Sequence, residues 1–147
     1  MNYTTINFQD DLIKDILRYK EKELQESFVN EKSGLIKRNS KISWIKDRTI
    51  CQRVFSVIKS KSADFSSFHL DNIEPLQYSE YDTKQEYGWH QDLNIKPYDD
   101  GRIRKISFSI FLNNNFEGGE FDLEIYGPDA KPRYISIWKL EKSADLL

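Results

Sequence analysis

The chain has 147 residues, 31% of them charged and 38% apolar, and a net charge of −2. That size suits one domain around one core, and the near-neutral charge, with no long basic cluster, gives no electrostatic basis for binding nucleic acid or an acidic membrane. Met1 to Asp15 has no apolar run resembling a signal peptide, no window approaches a membrane span, and the lone Cys51 cannot form an internal disulfide, so a cytoplasmic setting is expected.

Phe8 to about Phe28 reads as a helix. Asp10 and Asp11 suit its positive end, and Leu12, Ile13, Ile16, Leu17 and Leu24 make one apolar stripe opposite Lys14, Arg18, Glu21, Lys22 and Glu26. Asn30 to Ser40 is polar and reads as a loop with a short extended piece at Leu35-Ile36. Ile42 to Ile45 reads as a short strand. Asp47 or Arg48 to about Ser60 has the i, i+4, i+7, i+8 spacing of a buried helix face in Ile50, Val54, Val57 and Ile58. Cys51 lies in that stretch and reads as a buried structural thiol. Ser60 to Ser67 reads as a loop.

After residue 67 the pattern turns to strands. Phe68 to Asp82 is aromatic and partly alternating, with Pro75 marking regular pairing that starts late or lies at an edge. Thr83 to Glu86 reads as a turn and Tyr87 to Asp92 as a second short strand. Asn94 to Gly101 is a polar loop. Lys105 to Asn113 reads as a buried strand with Ile106, Phe108, Ile110 and Leu112 on one side and Ser107, Ser109 and Phe111 on the other. Strands are also expected at Gly119 to Tyr126 and Arg133 to Leu140. The layout predicts an α+β, mainly β fold: residues 1–66 as a helical support region and residues 67–147 as a strand-rich core, together one domain.

Chemistry concentrates at Tyr87-Gly88-Trp89-His90-Gln91-Asp92. A histidine and a carboxylate two residues apart on a strand point to one face and supply two ligands of a 2-His-1-carboxylate iron site. Spacing alone is weak: with two histidines and thirteen aspartates, one His-x-Asp arises by chance in roughly one such sequence in five or six. His69-Leu70-Asp71 is a rival, although Asp71 and Asn72 make it read as a polar turn ahead of a strand. On spacing alone, a strand histidine satisfied by a turn carboxylate is also the plainer reading of His90. The neighbouring strings are more specific: Glu74-Pro75-Leu76-Gln77-Tyr78-Ser79-Glu80-Tyr81 before the motif, then Arg104-Lys105-Ile106-Ser107 opening a strand that ends in Leu112-Asn113, then Glu117-Gly118-Gly119-Glu120-Phe121.

In that order these strings resemble the Fe(II)- and 2-oxoglutarate-dependent dioxygenases of the prolyl 4-hydroxylase type, and most of all the small PKHD-type hydroxylases. The specific likeness spans Leu76 to Tyr126, about a third of the chain. It implies a double-stranded β-helix, or jelly roll, with the two helices packed outside. His90 and Asp92 match the first two metal ligands, and Tyr81 and Tyr87 match aromatic positions that face the 2-oxoglutarate pocket. The implied activity couples decarboxylation of 2-oxoglutarate to hydroxylation of a C–H bond, with Fe(II) as cofactor and ascorbate as a further one. The family favours a peptidyl or amino-acid substrate.

The chain departs from the pattern downstream. The family places a second histidine, then an arginine or lysine for the 2-oxoglutarate carboxylate, beyond a strand like Arg133 to Leu140. Here Glu141-Lys142-Ser143-Ala144-Asp145-Leu146-Leu147 follows. Arg133 precedes the expected place. If Tyr81 and Tyr87 flanked a tight hairpin, His69 would lie about 30 Å from His90 at about 3.3 Å per residue, too far to complete the triad. The sequence therefore reads as a C-terminally truncated barrel with open sheet edges and a route to self-association. An inactive relative that keeps the jelly-roll core, and an unrelated β-rich binding domain, are the alternatives.

Overall fold

The computed structural model describes residues 4–19, 24–30, 37–64, 66–92, 96–113, 115–126, 132–137 and 143–146. They form an α+β fold, mainly strands, all of whose named strand pairs are antiparallel. In chain order the elements are β1 (Thr4–Asn7), α1 (Asp10–Tyr19), β2 (Gln25–Asn30), β3 (Lys37–Ile45), α2 (Arg48–Ser62), β4 (Leu76–Glu80), β5 (Phe108–Ile110), β6 (Phe121–Tyr126), β7 (Pro132–Ile137) and β8 (Ser143–Leu146). They make sheets β1-β8-β5, β2-β3-β4 and β6-β7.

The two helices form where the apolar periodicity puts them. Asp47 caps α2, its carboxylate accepting from the Ile50 N–H at 3.0 Å. Ile50, Cys51, Val54 and Ile58 are buried along one face. Leu12, Ile13 and Ile16 of α1 meet them in a core completed by Ile6, Phe8, Ile45, Leu76 and Tyr78. Arg53 straps the helices together, with Nη1 on Asp15 at 2.6 Å and Nη2 on Asp11 at 2.5 Å. Cys51 is buried as expected, its thiol 3.4 Å from the Ile45 carbonyl, and burial pushes its pKa up. Among the described residues no helix is long and apolar enough to cross a membrane.

Several sequence expectations need correction. The first helix ends at Tyr19 rather than near Phe28. Glu26 and Phe28 lie on β2, and Leu24 is exposed. Lys14 and Arg18 stay on α1, Glu26 lies on β2, where a charged residue can occupy an open face, and Glu21 and Lys22 lie outside the described residues. The supposed loop up to Ser40 instead begins β3 at Lys37, and the short strand expected at Ile42 is the end of this nine-residue element; the Leu35-Ile36 piece lies outside the described residues. The described residues among the first 66 thus contribute three strands besides the helices, and β3 and β4 pair directly. Regular pairing after Pro75 does start late, at Leu76.

The C-terminal segment also differs from expectation. Ser143–Leu146 forms β8, which lies between β1 and β5. It pairs with the N-terminal strand on one side, Thr4 opposite Leu146, and with Phe108 to Ile110 on the other. The alternation of the β5 stretch is as expected: Ile106, Phe108, Ile110 and Leu112 pack against the core. Phe111 points elsewhere and meets Phe121 edge to face at 5.9 Å, joining the β6-β7 pair to this strand.

Candidate metal-ligand pair and its aromatic stack

The registers of β3 place the site. Lys41 pairs with Glu80, and Arg38 bridges Tyr87. Three steps along β3 therefore face seven along the segment opposite it, and the surplus is looped out at Asp82 to Gln85. That turn is closed by Gln85 N–H to the Asp82 carbonyl at 2.9 Å and by the Asp82 N–H to Gln85 Oε1 at 2.8 Å, with Lys84 at φ 68°. The Asn39 N–H donates to the Glu86 carbonyl at 3.0 Å just beyond it. Tyr87 thus resumes the line of β4 instead of reversing it. Tyr81 and Tyr87 do not flank a tight hairpin, and Tyr87 to Asp92, expected as a short strand, is a single bridge followed by irregular chain.

This path brings His90 and Asp92 together. His90 Nδ1 lies 2.8 Å from the Gly88 carbonyl and Nε2 lies 3.2 Å from Asp92 Oδ1. A carbonyl only accepts, so Nδ1 carries a proton. The hydrogen bond to Asp92 is the largest cause holding the His90 pKa above its usual value, with burial opposing it. The reciprocal bond is the largest cause lowering Asp92, and the Ser107 hydroxyl adds to it.

Tyr87 fixes the imidazole from its face. The two rings stack with centroids 3.7 Å apart and planes 15° from parallel. The Arg38 guanidinium sits over the Tyr87 ring at 4.8 Å. A second cluster braces the backbone at Asp92. Arg104 forks onto Glu74 at 2.7 and 2.6 Å and donates to the Asp92 carbonyl at 3.2 Å, while Tyr98 donates to the same Glu74 at 2.9 Å. The bond to Arg104 is the main reason the Glu74 carboxyl is held below its usual range.

Of the expected site residues, His90, Asp92 and Tyr87 are therefore brought together. Tyr81 is not: it follows β4 on the other side of the looped-out turn, is 47% exposed, and has no hydrogen bond or ring contact to the cluster. His69 is exposed, and among the described residues no group of three histidine, cysteine, aspartate or glutamate side chains is placed to hold a metal. Sequence reasoning missed Arg38, whose stretch read as a loop. Lys37 to Lys41 is polar at every position, so no alternation marked it. Comparison of the chain with protein-family models, with curated proteins and with solved structures finds no match.

Proposed function

We propose that this chain is an Fe(II)- and 2-oxoglutarate-dependent dioxygenase of the prolyl 4-hydroxylase type, with His90 and Asp92 as two of its metal ligands and a jelly-roll arrangement of its strands. The observation that carries the reading is the orientation of His90. Its Nδ1–H is engaged by the Gly88 carbonyl, which leaves Nε2 directed at Asp92 Oδ1. Ligating histidines are characteristically oriented by such a bond from the other ring nitrogen. Two donors about 2.1 Å from one ion and at a right angle to each other stand about 3 Å apart, and the 3.2 Å separation is compatible with that.

The donor set fits iron in two positions. The third ligand of the triad is not among the described residues. Fe(II) with 2-oxoglutarate would supply the oxidising chemistry. The residues of this chain would bind and orient: Gly88 and Tyr87 hold the imidazole, and Ser107 and Arg104 hold Asp92. On the sheet β2-β3-β4, Ile45, Leu76 and Tyr78 belong to the core shared with the helices, while Arg38, Ser40, Gln77 and Ser79 share a polar cluster. Ascorbate, and a peptidyl or amino-acid C–H substrate, belong to this reading through the family likeness alone.

The incomplete triad favours a second reading, a relative that keeps the core without turnover. Anaerobic purification, addition of Fe(II) and 2-oxoglutarate, then admission of oxygen separates the two. The dioxygenase reading predicts succinate that disappears in His90→Ala; absence of succinate in the wild-type protein contradicts it.

A further inference from the structure

Arg38 is a cation inside the protein, 6% exposed. Its Nε donates to Ser40 Oγ, Nη1 to Gln77 Oε1 and Nη2 to Ser79 Oγ, each at 2.9 Å. Among the described residues, the Tyr87 ring also lies against it. Every one of these acceptors is neutral. A guanidinium taken out of water is costly unless an anion compensates it, and neutral hydrogen bonds satisfy its geometry without cancelling its charge. Contrast Arg53 and Arg104, each of which forks onto carboxylates at the surface.

We infer that Arg38 is the centre of an oxyanion-binding site for a small carboxylate or phosphate ligand. The identity of its neighbours points the same way. Hydroxyls and a side-chain amide can donate as well as accept. Ser40 and Ser79 can each turn a hydroxyl proton toward an incoming oxyanion, and an amide flip gives Gln77 an N–H donor. Gln77 is exposed and can swing from Nη1, whereas Ser40 is fully buried and stays. The planar fork of Arg38 then meets two oxygens of the anion, the geometry that suits carboxylate and phosphate. Tyr87 holds the guanidinium plane from one side. Since Tyr87 stacks on His90 as well, the site adjoins the proposed metal ligands but does not depend on them.

The test uses the full chain in the presence of a metal chelator, so that its result is independent of iron. Binding of glutarate, acetate and inorganic phosphate is followed by calorimetry and by amide shifts at Arg38, Gln77 and Ser79. At least one probe is expected to bind with those residues shifted, and Arg38→Met to weaken it at least about tenfold, the scale of one charged hydrogen-bonding partner. Tighter glutarate than phosphate assigns an organic acid, and the reverse a phosphorylated ligand. Should Arg38→Met fail to fold, the double change Ser79→Ala with Gln77→Leu keeps the charge, removes two donors and is expected to weaken the same probe several-fold. Wild-type protein that binds none of the probes, or a folded variant that binds them unchanged, overturns the inference. Absence of iron binding alongside Arg38-dependent anion binding would sink the dioxygenase reading and leave this one standing.

Discussion

At the scale of single residues, the structure turns on what occupies the space between His90 Nε2 and Asp92 Oδ1. The two atoms lie 3.2 Å apart, within hydrogen-bonding distance. His90 has a raised pKa, chiefly through Asp92, so its contribution to stability is fully present below the unfolded imidazole pKa and is lost as pH rises through the folded value. Asp92→Asn removes the main cause, and proton NMR of the His90 ring should show its titration moving down toward the ordinary histidine range. A titration that stays put would mean that Asp92 does not face the imidazole. Glu74 obeys the opposite sign. Its pKa is lowered by Arg104, so its contribution is present above the unfolded carboxyl pKa and disappears as pH falls through the folded one. The pair is partly exposed, so Glu74→Gln should cost no more than about 1 kcal/mol at neutral pH. Urea unfolding at several pH values should show a shallower acid decline in that variant.

At the scale of elements, the helices were legible and the strands around the site were less so. Helix α2 follows from its four apolar positions and from Asp47, a cap whose carboxylate meets the Ile50 N–H. Asp47→Ala should lower stability by about 1 kcal/mol, read as a drop in the thermal midpoint with helix content otherwise retained. The strand Lys105 to Asn113 was legible through its alternation, although only Phe108–Ile110 pairs as β5. Helix α1 was overextended because the charged residues after Tyr19 continue a plausible solvent face, and periodicity does not mark where a solvent face changes from helix to strand. Strand β3 was half missed because Lys37 to Ser40 is polar on both sides. Its partners are far away in sequence, and a buried arginine leaves no apolar signature. The looped-out turn after Glu80 was read as a reversal for a related reason: Asp82 to Gln85 has the composition of a hairpin turn, while the continuation of pairing depends on Asn39 and Arg38 more than forty residues earlier. His90, Asp92 and Tyr87 were readable as a group because they lie within six residues. Tyr81 falls outside the group because the turn separates it from them.

At the scale of the whole molecule, segments distant in sequence enclose a core shared by both helices, β1, β3 and β4. The C-terminal residues, expected to leave edges open, supply a strand between β1 and β5. Polar residues gather instead around Arg38, Tyr87, His90 and Asp92, one row of contacts running from a buried cation to a carboxylate. The central claim is that this row ends in metal ligands. Its most direct test is anaerobic titration of the full chain with Fe(II), reading bound metal per chain at equilibrium in wild type, His90→Ala and Asp92→Ala. Saturation near one ion per chain, with affinity lowered at least about tenfold in each variant, is the predicted result. Binding of no iron by the wild-type protein, or equal binding by all three proteins, would contradict it.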